Sequence, residues 1–259
     1  MKSKTDRHLT IEEYEICSKL KSMRLSGMAG ELEKVFSDPN ADLVSFDDKI
    51  RQVVEAEWNL RYTKKLNRFV KNATLKYPTA DLDDTIYDPE RQLDASVIEA
   101  LSDCSWIEQG KNLVITGKTS SGKSYLANAL AVCALRQFKT ARYYKASTLI
   151  NELAKAEKLD EYPETLNQIA SYDLLIIDDF GLMNLDIDKC RNLFEVFDSR
   201  DPHKSILIVS QIPVLSWYDM FSDHTYAEAS LARVLGDSYR LEMNGKNMRN
   251  LEPINKRKQ

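Results

Sequence analysis

From Ile11 to Phe36 the apolar residues recur at helical intervals, and Ser37 to Ala41, with Asp38, Pro39 and Asn40, interrupts them. That pattern predicts one helical element or two in tandem. From Phe46 to Tyr77 the positions Ile50, Val54, Trp58, Tyr62, Leu66, Val70 and Ala73 again fall three or four residues apart, and Pro78 stops the run. A single long amphipathic helix is expected there. Thr79 to Glu90 carries five acids and Pro89 and reads as a linker. After Trp106 short β-branched or apolar runs alternate with helical segments, as in a parallel sheet covered by helices on both faces. The expected strands are Asn112 to Thr116, Arg142 to Ala146, Asp173 to Asp178, Ser205 to Ser210 and Tyr239 to Met243. The organisation that follows is a helical N-terminal domain over 1–78, a linker and entry helix over 79–105, an α/β domain over 106–250 and a basic tail over 251–259, with no internal repeat.

A chain of 259 residues suffices for one sizeable α/β core and a smaller appendage. With 43% hydrophobic and 29% charged residues, and only 8 Gly and 7 Pro, it is not of disordered composition. A net charge of −4 excludes a uniformly basic nucleic-acid binder but leaves room for local patches. Cys17, Cys104, Cys133 and Cys190 lie far apart without a CxxC pair, so buried reduced thiols are expected and neither a zinc site nor a disulfide framework. His8, His203 and His224 are scattered and read as structural or exposed. The N-terminus lacks an apolar signal region, and the most apolar stretch, Leu126 to Leu135, is too short to span a bilayer. A cytoplasmic protein without a membrane partner is expected.

The chemistry concentrates in two motifs. Gly117, Lys118, Thr119, Ser120, Ser121, Gly122, Lys123 and Ser124 satisfy GxxxxGK[ST], after the expected strand NLVIT and before the helical SYLANALAV. Glycines let successive backbone N–H groups curl around a β-phosphate, and the following helix presents its positive N-terminus to the same anion. In this P-loop, Lys123 would neutralise β- and γ-oxygens of ATP and Ser124 would coordinate Mg²⁺. The second motif, Leu174 to Asp179, is a buried strand delivering two carboxylates beside the loop, a Walker B pattern. Asp178 would hold Mg²⁺ through water, and Asp179 would orient the attacking water. The plain alternative is that the two aspartates cap a turn.

Ser210 and Gln211 end a strand expected between the two motif strands, where a polar group could meet the γ-phosphate or simply cap the strand. Arg233, in the helical AEASLARVLG, could act as an arginine finger on a neighbouring subunit's ATP or be a solvated helix charge. Between Trp58 and Tyr77 stand six basic residues, Arg61, Lys64, Lys65, Arg68, Lys71 and Lys76, and no acid. At about 100° per residue the first five fall within an arc of roughly 120°, beside the apolar Tyr62, Leu66, Phe69, Val70 and Ala73. Solubilising faces usually mix signs. This one-signed face therefore reads as a surface for DNA phosphates, the plain alternative being a solvated charged face.

The combined pattern resembles the IstB-like ATPases, the AAA+ helper proteins of bacterial insertion sequences, related to the DnaC-type helicase loaders. The resemblance is carried by AEWNLRYTKKLNRFVKNATLKYP, DPERQLD, WIEQGKNLVITGKTSSGKSYLANALAV, YDLLIIDDFG and LEMNGKNMR, in that order and over nearly the whole chain. It implies a P-loop AAA+ parallel sheet preceded by a small all-helical domain; in a departure from the usual AAA+ pattern no C-terminal lid domain is expected, since only a short tail follows Arg249. It also implies homo-oligomers on duplex DNA with ATP at subunit interfaces, DNA bending, and delivery of the target to a transposase. By position Lys123, Ser124, Asp178 and Asp179 match the family's phosphate, magnesium and base residues, Gln211 its sensor amide and Arg233 its finger. Ala232 stands where an acid usually precedes that arginine, Gln211 replaces an asparagine, and Asp179 replaces a glutamate common among relatives. A second sensor arginine could only come from a residue such as Arg249.

Three other readings use the same motifs. A replicative helicase loader would share the nucleotide site but bind a helicase and single-stranded DNA, and EAEW with KYP favours the transposition helper instead. A small-molecule kinase would leave the basic helix unused and lacks an Arg-rich lid. An architectural DNA-binding protein would keep ATP as a structural ligand only, without DNA-stimulated hydrolysis.

Overall fold

The computed structural model describes residues 8–87, 89–91, 93–244 and 248. These fall into two compact units, with the boundary between Arg68 and Phe69.

The first unit is helical: α1 (Ile11–Ser22), α2 (Ser26–Ser37) and the greater part of α3 (Phe46–Ala73). Thr10 opens α1 with a reciprocal capping box, its hydroxyl accepting from the Glu13 amide while Glu13 accepts from the Thr10 amide. Arg24, at φ +61°, turns the chain between α1 and α2, so the first apolar run resolves into two helices. Gly27 lets α2 approach α3: a Cβ there would stand 2.7 Å from the Glu57 Cα. Glu57 in turn accepts from the Gly27 and Met28 amides at 2.7 and 3.2 Å and from Arg61 Nε at 2.7 Å. The Arg61 bond, and then those amides, hold the Glu57 carboxyl below its ordinary range. Cys17, Ala29 and Val53 form the buried contacts, whereas Phe46, Ile50, Val54 and Trp58, the repeating apolar positions of α3, are 74, 46, 50 and 69% exposed. The periodicity predicts the helix correctly. It does not predict that this stripe stays uncovered.

The second unit is built on five parallel strands, β1 (Asn112–Gly117), β2 (Ala141–Lys145), β3 (Leu174–Phe180), β4 (Ser205–Ser210) and β5 (Ser238–Met243), in the order β2-β3-β4-β1-β5. Side chains alternate across a strand. Val114, Leu175, Ile177, Ile206 and Ile208 therefore join one core with α7 (Ala146–Lys158), α8 (Tyr162–Ser171), α9 (Ile187–Asp198) and α10 (His224–Leu235). The opposite face carries α6 (Lys123–Arg136), most of whose residues are buried. Its alanine-rich sequence suits a helix buried nearly all round. Two short helices precede the sheet, α4 (Ala95–Ser102), which packs on α6, and α5 (Ser105–Glu108).

Residues 69–91, read from sequence as helix end and linker, are fastened to this unit. Ala73 is fully buried, Arg136 binds Asp81 at 2.8 Å, and the Tyr125 hydroxyl donates to Asp84 at 2.8 Å. α3 ends at Ala73 because Thr74 takes φ +50°, four residues before Pro78. Of the cysteines, Cys17, Cys104 and Cys190 are buried, Cys133 is half-buried, and all four are free thiols. His8, His203 and His224 are exposed, His224 stacking on Tyr218. Among the described residues no helix is long and apolar enough to cross a membrane. Arg249 and the basic tail Lys256, Arg257 and Lys258 lie outside the described residues.

Candidate nucleotide site

The carboxyl ends of β1, β3 and β4 open into a cleft of about 370 Å³, within the range of ligand pockets. Thr119, Ser120, Gly122, Lys123 and Ser124 line it from the loop, Asp178 and Asp179 from β3, Ser210 from the end of β4 and Gln211 from just beyond it. The loop leaves β1 at Gly117, at φ +141°, where a Cβ would fall 2.0 Å from the Met243 carbonyl oxygen of β5. Gly122 takes φ +93° immediately before α6, whose first residue is Lys123. The sequence thus puts glycine where a side chain would be strained or would collide. The helix N-terminus opens toward the anion position.

Lys123 is buried and turns back on its own loop, donating from Nζ to the carbonyls of Gly117 and Lys118 at 2.7 and 2.6 Å. Burial pushes its ammonium below the usual lysine range, against the opposing pull of Asp178 and Asp179. A phosphate would supply the counter-charge that burial withholds.

Consecutive residues of a regular strand point to opposite faces, so two adjacent aspartates would not ordinarily share a cleft. β3 escapes this by a register shift between Ile177 and Phe180, with Asp179 at φ +58°. Such a bulge re-aims side chains, and a left-handed aspartate is a strained choice of the kind found at functional sites. Asp178 is 1% exposed: its Oδ1 accepts from the Asp179 amide and its Oδ2 from the Tyr143 hydroxyl, at 2.8 and 2.7 Å. Burial first, and then Asp178, raise the Tyr143 phenol above its ordinary pKa, keeping it a donor. Two lysines complete the charge balance, Lys76 Nζ 3.8 Å from Asp178 and Lys145 Nζ 3.7 Å from Asp179.

Gln211 faces the loop and accepts the Thr119 hydroxyl. Ser210 does not: its hydroxyl donates to the Phe180 carbonyl and accepts from the Ile212 amide, so the strand-cap reading holds for it. The described residues contain no group of three or more His, Cys, Asp or Glu able to cage a metal. Magnesium is commonly held by one or two carboxylates together with substrate phosphates, so the Ser124 hydroxyl and the Asp178 carboxylate fit it.

Arg233 is not in this cleft. Its Nε and Nη2 bind Asp198 at 2.9 and 2.8 Å, and its guanidinium lies 5.4 Å over the Phe194 ring. Its carbonyl accepts from Asn112 at the opposite end of β1. Six strand residues separate the two ends by about 17 Å at 3.3 Å per step, so Arg233 cannot reach its own nucleotide position. On α3, Arg61, Lys64, Lys65, Arg68 and Lys71 are all exposed, but Arg61 is committed to Glu57 by the bond already described.

The motifs assign no role at the nucleotide site to Lys76 and Arg91, which line the cleft, or to Tyr143 and Lys145, which touch its two aspartates. Arg91 is 5% exposed and its Nη2 donates to the Ser121 carbonyl at 3.0 Å, fixing the phosphate loop from outside. Lys76 and Arg91 stand in the KYP and DPERQLD stretches, so a signal existed; Tyr143 and Lys145 depend on strand register, which the sequence does not display.

The model of the IstB-like ATP binding proteins matches residues 18–256. A Sinorhizobium fredii protein named for an insertion sequence and for ATP binding is 32% identical over 232 residues, covering 90% of this chain and 93% of its own. A Pseudomonas fluorescens protein named for ATP binding in the insertion sequence IS1162 is 37% identical over 196 residues, 76% of this chain and 85% of its own. Among solved structures, the DnaC helicase loader superposes with a TM-score of 0.52 at 16% identity, covering 65% of this chain and 99% of that one. AMPPCP-bound DnaA from Aquifex aeolicus gives 0.55 at 21%, covering 66% of this chain and 51% of that one. At these identities the structural likeness speaks to the fold, an AAA+ P-loop sheet. The match over nearly the whole chain shows the family: this chain is a member of the IstB-like ATP-binding proteins.

Proposed function

We propose that the chain is a Mg²⁺-dependent, DNA-stimulated ATPase that assembles on duplex DNA, with ATP at subunit interfaces, and serves a transposase as the helper that selects and bends target DNA. One observation carries the reading. The cleft holds the phosphate loop, the paired carboxylates and Gln211, while Arg233 lies about a strand's length away, too far to serve its own nucleotide. Lys123 and the loop amides would hold the phosphates, Ser124 and Asp178 the metal, and Asp179 the attacking water. An arginine supplied in trans then acts on transition-state charge. Hydrolysis becomes a property of the assembly.

The partner side of the proposal is supported by the relatives named for insertion sequences and by the one-signed basic face of α3. The test is the ATPase rate against protein concentration, with and without duplex DNA. A cooperative rise that duplex DNA shifts to lower protein concentration is expected. A specific rate independent of concentration would place the whole catalytic apparatus within one subunit. Stimulation by single-stranded DNA and a replicative helicase, and not by duplex, would favour the loader reading.

A further inference from the structure

Lys76 lies outside both sequence motifs, yet it enters the nucleotide cleft. The chain holds it there from both sides: Thr74 donates through its hydroxyl to the Tyr143 carbonyl at 3.2 Å, and the Tyr77 amide donates to Asn128 Oδ1 at 3.1 Å. Leu75, between Thr74 and Lys76, is buried. The partly exposed side chain of Lys76 passes 5.5 Å from the Tyr77 ring and brings Nζ to 3.8 Å from Asp178 Oδ2. Asp178 is almost wholly buried, and a buried carboxylate needs a counter-ion. Lys76 fills that need.

We propose that Lys76 is a second lysine of the nucleotide site, one that reads the γ-phosphate and so sets the preference for ATP over ADP. This rests on the ATP reading of the cleft. Asp178 and Asp179, beside Lys123 and Gln211, mark the terminal-phosphate end. A divalent ion on Asp178 would repel an ammonium only 3.8 Å from that carboxylate. The flexible four-carbon stem lets the ammonium move. A γ-phosphate offers it unneutralised oxygens nearby, whereas ADP offers none at that end and leaves lysine and metal competing for one carboxylate. The differential contact is what permits a single side chain to favour one nucleotide state.

The test is calorimetric titration of wild type, Lys76→Gln and Lys76→Arg with AMPPCP or ADP, each with magnesium. Wild type should prefer the triphosphate, Lys76→Arg should keep that preference, and Lys76→Gln should lose about tenfold of it, or about 1.4 kcal/mol. Equal weakening for both nucleotides would make Lys76 merely the counter-ion of Asp178 and overturn the inference, as would wild type without preference or Lys76→Gln with the full preference. Nucleotide binding by none of the proteins, wild type included, would instead remove the ATP reading beneath it. A measurement on wild type alone guards against a variant that does not fold. AMPPCP with magnesium should protect Lys76 from amine acetylation, read by mass spectrometry, more than ADP with magnesium does. Equal protection would overturn the inference.

Discussion

Replacing Lys64, Lys65 and Arg68 with glutamine removes three of the exposed cations of α3 while leaving the nucleotide cleft untouched. α3 rises about 1.5 Å per residue, so the stretch from residue 61 to residue 71 covers roughly 15 Å, enough to follow several phosphates of one strand. If about four of the five cations Arg61, Lys64, Lys65, Arg68 and Lys71 meet phosphates, log K acquires a salt-dependence slope of about −3.6 per subunit, at about 0.9 for each phosphate neutralised. The triple variant should flatten that slope by about 2.7. Affinity should fall for all duplexes alike, since phosphate contacts position a protein without reading sequence. Fluorescence anisotropy with labelled duplexes of two unrelated sequences, titrated from 50 to 300 mM salt, measures both quantities, and ATP affinity of the free subunit serves as the control. An unchanged slope would show that α3 carries only a solvated charged face, and the DNA contact would have to be sought on the second unit or the basic tail.

Other consequences follow from the cleft and from the charge network. Lys123→Ala should abolish nucleotide binding in calorimetry with the melting temperature preserved, because its ammonium bonds loop carbonyls and not the core; unchanged affinity would remove the loop from the mechanism. Asp179→Asn should still bind Mg²⁺ and ATP but hydrolyse about 10²-fold more slowly, the loss expected of a positioned base; unaffected turnover would assign the water to another residue. Asp173 titrates below the usual carboxylate range: burial opposes this, but Lys204 and Thr140 prevail. A depressed folded pKa contributes stability that is present above the unfolded value near 3.9 and is lost as pH falls through the folded one. Asp173→Asn should therefore flatten the fall of melting temperature below about pH 4, and an unchanged acid profile would show that the Lys204 and Thr140 bonds add nothing in solution.

Most of the sheet was legible because its strands are short apolar runs between helical periods. All five predicted strands lie within a residue or two of β1 to β5, and β4 does lie between the two motif strands. The loop was legible for a stricter reason: the positive-φ geometry at Gly117 and Gly122 tolerates few alternatives to glycine. What stayed hidden depends on non-local geometry. The bulge that brings Asp178 and Asp179 to one cleft, the Tyr143 hydroxyl on Asp178, and the grip of Arg91 on Ser121 each join residues far apart in the chain or alter a strand locally. Periodicity likewise marked Phe46, Ile50, Val54 and Trp58 as one face of α3, but it cannot say whether a face is covered. Charge spacing on α3 could not reveal that Glu57, one turn before Arg61, takes that guanidinium for itself.

In the proposed assembly catalysis is shared between subunits, with Asp179 acting in one and Arg233 reaching in from the next. Arg233→Ala and Asp179→Asn each leave one half of every interface defective, so each variant alone should be nearly inactive in the presence of duplex DNA. Mixed assemblies contain some interfaces that pair an intact Asp179 with an intact Arg233. Steady-state ATPase measured across mixing ratios at constant total protein should therefore rise to a maximum near equal proportions. A flat line at the activity of the separate variants, with co-assembly verified by differently labelled subunits, would exclude shared catalysis and return Arg233 to its pairing with Asp198.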